Sequence, residues 1–130
     1  MTYLIDTDWI INWLKGREKT VEKIKNLPEG GLAVSIISIA EIYEGIFGSK
    51  NTEKHENALQ EFLSGVEVAY IDQEICKKFG ELRNELRKKG NLVGDFDILI
   101  ASSAISKNFI LLTDNLEHYN KIPRLKIGKI

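Results

Sequence analysis

Short apolar runs of strand length alternate along this chain with longer stretches whose apolar residues recur every three or four positions, and that alternation restricts the fold more than any other feature. Strands separated by helical crossovers lie parallel and need cover on both faces, which predicts an α/β fold: a three-layer α/β/α sandwich around a mostly parallel central sheet. Strands are expected at residues 3–5, 32–35, 66–71 and 109–113, with a last apolar stretch at 125–130. Helices are expected at 9–15, 19–27, 52–63, 96–107 and 116–120. A further helix is opened by Ser38 and closed by Gly48, and a long one is capped by Asp72 and ended by Gly90. Asp8 is the expected cap of the first helix, and Ala101, Ser102 and Ala104 should let the 96–107 helix lie close to the sheet.

A chain of 130 residues, 43% hydrophobic and 28% charged, makes one domain over 1–130 and excludes a disordered or fibrous protein. The apolar runs are too short for a membrane span, and MTYLID lacks the pattern of a secretory leader, so no membrane contact and a cytoplasmic setting are expected. The single Cys76 excludes an internal disulfide and a multi-thiolate zinc site. There is no HExxH, GxSxG, Walker-type or GxGxxG sequence. His55 in TEKHEN and His118 in LEHYN read as surface residues.

The acids are distributed unevenly. Thirteen Glu are scattered mostly over helix surfaces, whereas Asp6, Asp8, Asp95, Asp97 and Asp114 lie at strand ends or helix starts. In parallel sheets ligands bind beyond the carboxyl ends of the strands, where Asp6 in YLID and Asp114 in LLTD should stand. Short carboxylate side chains there suit a hard cation such as Mg²⁺ or Mn²⁺, although Asp is also the usual residue of caps and turns. Glu41 has two readings as well. In Ser38-Ile39-Ala40-Glu41 it can close a capping box onto the Ser38 amide, or it can face the open end of the sheet, opposite the stripe of Ile39, Ile42, Tyr43 and Ile46.

YLIDTDWIINWL, SIISIAEIYEGI, GDFDILIASSA and LLTDNLEHYNKIPRLKI resemble, in order, the four blocks of PIN domains, with closest likeness to VapC-type toxin ribonucleases of toxin–antitoxin pairs. The resemblance runs from about residue 3 to about residue 127 and implies a PIN-like fold and a Mg²⁺- or Mn²⁺-dependent RNA-cleaving site. It implies Asp6, Glu41 and Asp97 as core acids and metal ligands, Asp114 as the fourth, Thr113 as a supporting hydroxyl, and Asp8, Asp95 and Asn115 beside them. It also implies an RNA substrate, a cognate antitoxin and a homodimer. An apolar groove near the first helix and the helix of Ile42 and Phe47 would receive the antitoxin, one of whose basic side chains would enter the acidic pocket.

Net charge is −1, but the basic residues cluster. Lys77, Lys78, Arg83, Arg87, Lys88 and Lys89 are candidates for RNA phosphates, with the tail Lys121, Arg124, Lys126 and Lys129 next; both sets also read as solvated faces. Three other functions compete: an RNA-processing nuclease that is not a toxin, a non-catalytic binding module, and a haloacid-dehalogenase-like phosphatase using Asp6-Thr7-Asp8.

Overall fold

The computed structural model describes residues 1–129. Four strands, β1 (Thr2–Ile5), β2 (Gly31–Ser35), β3 (Glu67–Ala69) and β4 (Ile110–Leu112), form one sheet in the order β3-β2-β1-β4, with every pairing parallel. The helices are α1 (Thr7–Leu14), α2 (Glu18–Lys25), α3 (Ile36–Phe47), α4 (Thr52–Leu63), α5 (Gln73–Lys88), α6 (Asp95–Lys107) and α7 (Leu116–Tyr119).

Side chains alternate across the sheet as the period of two requires, and they separate two cores. Leu4, Ala33 and Leu111 face Leu82 and Leu86 of α5, Ile98 and Ala101 of α6, and Tyr119 of α7. Tyr3, Ile5, Val34 and Leu112 face Trp9, Ile10, Ile42, Ile46 and Leu59 of α1, α3 and α4. These are the three expected layers. The chain builds outward from β1 to β3 with α1–α4 on one face, then returns through α5 and α6 on the other to place β4 beside β1. The strand order therefore reverses between β1 and β4, the position at which parallel sheets open a crevice.

Several local expectations are corrected. Asp6, not Asp8, caps α1: its backbone is extended and its carboxylate accepts the Thr7 N–H at 2.9 Å. The cap of α3 is Ser35, whose hydroxyl accepts the Ile37 N–H at 3.0 Å, so β2 passes into α3 without a linker. Ser38 is buried inside that helix, and Glu41 turns to Thr7 instead of closing a capping box. β3 stops at Ala69, short of the expected 71, because its partner β2 ends at the paired Ser35 and offers nothing further to bond.

The stretch beyond Leu125 lies along the outer edge of β4, joined by Leu111 N to Lys126 O at 2.9 Å and Gly128 N to Leu111 O at 2.8 Å. A Cβ at Gly128 would fall 2.6 Å from Leu112 Cδ2 and 3.1 Å from Ile110 Cγ2, so a larger residue on this covered edge would have to displace those side chains. Ile130, the end of the expected stretch, lies outside the described residues. On α6 the small residues do allow close packing: Ser102 and Ser103 are fully buried, their hydroxyls satisfied by Ile98 O at 2.6 Å and Leu99 O at 3.0 Å.

Candidate active site

Asp6 continues β1, its N–H bonded to Leu112 O at 2.9 Å, and is buried at the point where the strand order reverses. Oδ1 accepts from Thr7 N at 2.9 Å and the Tyr119 hydroxyl at 3.1 Å, and Oδ2 accepts from the Thr113 hydroxyl at 2.7 Å. Asp97, in the first turn of α6, accepts from the same Tyr119 hydroxyl at 3.2 Å on Oδ1, while its Oδ2 lies 3.0 Å from His118 Nδ1. Glu41 comes from α3 and accepts from the Thr7 hydroxyl at 2.7 Å; that oxygen also meets the Ser38 hydroxyl at 2.8 Å. Three elements on two faces of the sheet thus bring Asp6, Glu41 and Asp97 together.

The electrostatics follow from this crowding. Burial raises the Asp6 carboxyl above its ordinary value and the Asp97 charge adds to it, against the lowering effect of its three hydrogen bonds. Glu41 is raised by burial, then by Asp6, Asp97 and Glu44, with its Thr7 bond opposing. Burial, Asp6 and Asp114 push Asp8 up to about 6. The Tyr119 hydroxyl is strongly raised by burial and by the Asp6 and Asp97 charges, so it keeps its proton. No Lys or Arg forms an ion pair with Asp6, Asp8, Glu41, Asp97 or Asp114 among the described residues.

Not every expected residue converges. Asp114 is exposed; its Oδ1 accepts from Trp9 Nε1 at 3.1 Å, and its charge presses on Asp8. Asp95 is turned out of the cluster into a 2.9 Å pair with Arg83. Thr113 supports Asp6 as expected and also accepts from Asn115 N at 3.0 Å. His118 keeps part of its expected surface character, its side chain being about 43% exposed, but its Nδ1 lies 3.0 Å from Asp97 Oδ2; donation to Asp97 places the proton on that nitrogen, and the Asn115 amide 3.1 Å away then packs against it without a hydrogen bond. Thr7 and Tyr119 carried no signal as site residues beyond their adjacency to Asp6 and His118.

Among the described residues no three His, Cys, Asp or Glu side chains converge closely enough, as they stand, to hold a metal ion. The donor set nonetheless fits a hard divalent cation. It is made of oxygens, its like charges lack a cationic side chain, and of roughly four lone-pair directions per carboxylate the protein uses three on Asp6, two on Asp97 and one on Glu41.

Of the candidate phosphate contacts, Lys77 pairs with Glu74 at 3.7 Å, Lys78 with Glu81 at 3.3 Å and Arg83 with Asp95, leaving Arg87, Lys88 and Lys89 at the end of α5 without an ion pair among the described residues. In the tail, Arg124 pairs with Glu85 at 2.8 Å. Ile11, Leu14, Ile42, Gly45, Ile46 and Ala58 line a mainly apolar groove of about 540 Å³ between α1, α3 and α4, with Glu41 also on its wall. Trp9 is buried, Trp13 half-buried against Phe62, and Phe47 exposed.

An all-parallel sheet with an acid cluster at its reversal point defines a class of α/β proteins built around a carboxylate pocket, and the PIN domain family model matches residues 3–124. The chain belongs to the PIN-domain family. Within it the chain is 36% identical to Ribonuclease VapC1 of Haemophilus influenzae strain R2866 over 97% of its own length and 96% of that protein's. It also superposes on the structure of VapBC2 from Rickettsia felis bound to a promoter DNA fragment, with a TM-score of 0.92, 32% identity and 98% of each chain covered. Against VapBC-1 from nontypeable Haemophilus influenzae the TM-score is 0.89, with 35% identity over 99% of this chain and 98% of that one. Among the described residues no helix is long and apolar enough to cross a membrane.

Proposed function

We propose that this chain, as one nuclease domain over 1–130, is a VapC-type endoribonuclease that hydrolyses RNA phosphodiester bonds with Mg²⁺ or Mn²⁺ and acts in the cytoplasm as the toxin of a toxin–antitoxin pair. The observation that carries the reading is the cluster of Asp6, Glu41 and Asp97, buried or half-buried, alike in charge and, among the described residues, free of any Lys or Arg ion pair. Asp6, Glu41 and Asp97 would hold the cation, with Asp8 and Asp114 at the border. When bound, such a cation polarises the scissile phosphate and lowers the pKa of a water for in-line attack, an outcome that leaves a 5′-phosphate and a 3′-hydroxyl. Thr7, Thr113 and Tyr119 aim the carboxylates, because each donates to one of their oxygens. An acidic pocket repels a polyanion, so Arg87, Lys88 and Lys89, without an ion pair among the described residues, would hold the RNA backbone, as would Lys15 and Lys54 in the groove beside Glu41.

The relatives solved as VapBC pairs support a cognate antitoxin partner. Its apolar segment would lie in the groove between α1, α3 and α4 and bring a basic side chain to the acids beside Glu41. A homodimer belongs to the same proposal.

RNA cleavage should require Mg²⁺ or Mn²⁺, stop with a chelator, and disappear in Asp6→Asn and Asp97→Asn. Chelator-resistant cleavage would sink the metal dependence, release of inorganic phosphate from small esters would favour the phosphatase, and binding without turnover would favour the module. Co-purification with the product of an adjoining reading frame tests the toxin assignment, and a monomer across micromolar concentrations in sizing measurements overturns the dimer.

A further inference from the structure

Tyr119 sits where a hydroxyl is expensive and a plain aromatic ring would serve the core. Its side chain is fully buried, packed in the layer of Leu4, Ile98 and Leu111. Phenylalanine would fill the same space without placing a polar atom there. The hydroxyl instead reaches two carboxylates, Asp6 Oδ1 at 3.1 Å and Asp97 Oδ1 at 3.2 Å, which belong to positions 113 and 22 residues away in the chain.

The surrounding contacts close this arrangement into a ring. From Asp6 the path runs through the Thr113 hydroxyl to Asn115 N; the Asn115 amide then packs 3.1 Å from His118 Nδ1, which donates to the second oxygen of Asp97. Tyr119 completes it on the other side. Residues 113–119 therefore act on both acids through hydroxyl, amide and imidazole groups, while the carboxylate of the same segment, Asp114, points to Trp9.

The two acids are not equally restrained. Asp6 is fixed by Thr7 N and Thr113 whether or not Tyr119 is present. Among the described residues Asp97 is bonded by His118 and Tyr119 alone, and the Asp6 charge tends to drive it away. We propose that Tyr119 is a positioning residue whose hydroxyl ties Asp97 to Asp6 and so sets the spacing of the two carboxylates before a divalent cation arrives. The inference rests on the reading of these acids as metal ligands. Outer groups of this kind typically change metal affinity by about 10–100-fold.

The test uses the full chain as wild type, Tyr119→Phe and Asp6→Asn, titrated with Mn²⁺ by calorimetry and followed by near-ultraviolet difference absorption. Wild type should bind Mn²⁺ and Asp6→Asn should not; no binding by wild type overturns the metal-ligand reading and this inference with it. Given wild-type binding, Tyr119→Phe should weaken Mn²⁺ about tenfold, lose the tyrosine difference signal, and lower kcat on RNA with KM unchanged. Its thermal midpoint in chelator should not fall, since the ring and its packing remain. Mn²⁺ affinity equal to wild type overturns the inference. So does an equal loss in Leu82→Ala, a core variant of α5 packed in the same layer as Tyr119, because the effect would then be one of packing alone.

Discussion

Beyond the ends of β1 and β4, Asp6, Asp8, Glu41 and Asp97 crowd together without a lysine or arginine ion pair among the described residues, and hydroxyl groups hold oxygens of Asp6, Glu41 and Asp97. Along α5 the opposite arrangement prevails: Lys77 meets Glu74, Lys78 meets Glu81, Arg83 meets Asp95 and Glu85 meets Arg124, all with substantial exposure to water. Exposed pairs of that kind contribute about 0–1 kcal/mol each. The buried acids repel, and three of them are raised for that reason together with burial. Burial and stability are therefore decoupled. The more buried charges are those that work against the fold, as expected where a site is kept for a ligand rather than for stability.

The sharpest way to break this contrast is to neutralise a central acid. Asp97→Asn should reduce RNA cleavage on the order of 10²-fold or more, the several kcal/mol that a polarising cation supplies. Asp8→Asn should leave the metal-free fold more stable, by about 1 kcal/mol or roughly 4 °C, in thermal melts with chelator. A lower midpoint for Asp8→Asn would show that its repulsion is already relieved in the protein.

Next in size is the pH response. Asp8 titrates near 6 in the folded chain against 3.8 for the ordinary group, and Asp6 and Glu41 shift in the same direction. Groups raised on folding stabilise fully below their unfolded values, and that stabilisation is lost as pH rises through the folded ones. The metal-free protein should thus lose on the order of 1–2 kcal/mol between about pH 4 and pH 7, after allowance for solvent screening. Saturating Mg²⁺ should flatten the trend, and equal midpoints at pH 5 and 7.5 in chelator would contradict it.

The two histidines give a smaller effect that sharpens the comparison. His118→Ala should slow cleavage about tenfold by freeing one oxygen of Asp97, whereas His55→Ala should leave the rate unchanged. Equal rates for both would return His118 to the surface role its sequence context suggests. The smallest effects belong to α5. Ala at Arg87, Lys88 or Lys89 should each lower the salt slope of RNA binding by about one unit in an Asp97→Asn background, while Lys77→Ala and Lys78→Ala should be silent. If all five are silent, Lys121, Lys126 and Lys129 are the next residues to substitute.

Most of the architecture was legible because the two periods of two and 3.6 residues alternate so plainly, and Asp6 was legible as a strand-end acid on the open side of a parallel sheet. Glu41 and Asp97 were singled out by the resemblance, since Glu41, in the second turn of α3, also read as a capping-box residue. The details that escaped are of another kind. Ser35 and Ser38 are both plausible caps, and the β-branched Ile36 and Ile37 between them resemble strand more than helix; the Ser35 hydroxyl, accepting the Ile37 N–H, starts the helix at Ile36. Asp95 and Asp97 carry the same chemistry two residues apart, and only Arg83 on a different helix separates their roles. Tyr119 and Thr7 act through partners remote in the chain, which no local pattern announces.

The central position of β1 also has a consequence in time. The first strand of the chain carries Asp6, yet its neighbour β4 and the Tyr119 hydroxyl come from the last fifth of the polypeptide. Contacts of such long sequence separation form late and slowly. A chain still growing on the ribosome, short of residue 110, already contains Asp6, Glu41 and Asp97 but lacks the strand and the hydroxyl that assemble them. For an enzyme of the proposed kind, activity is expected only once the segment that carries β4 and Tyr119 has been added.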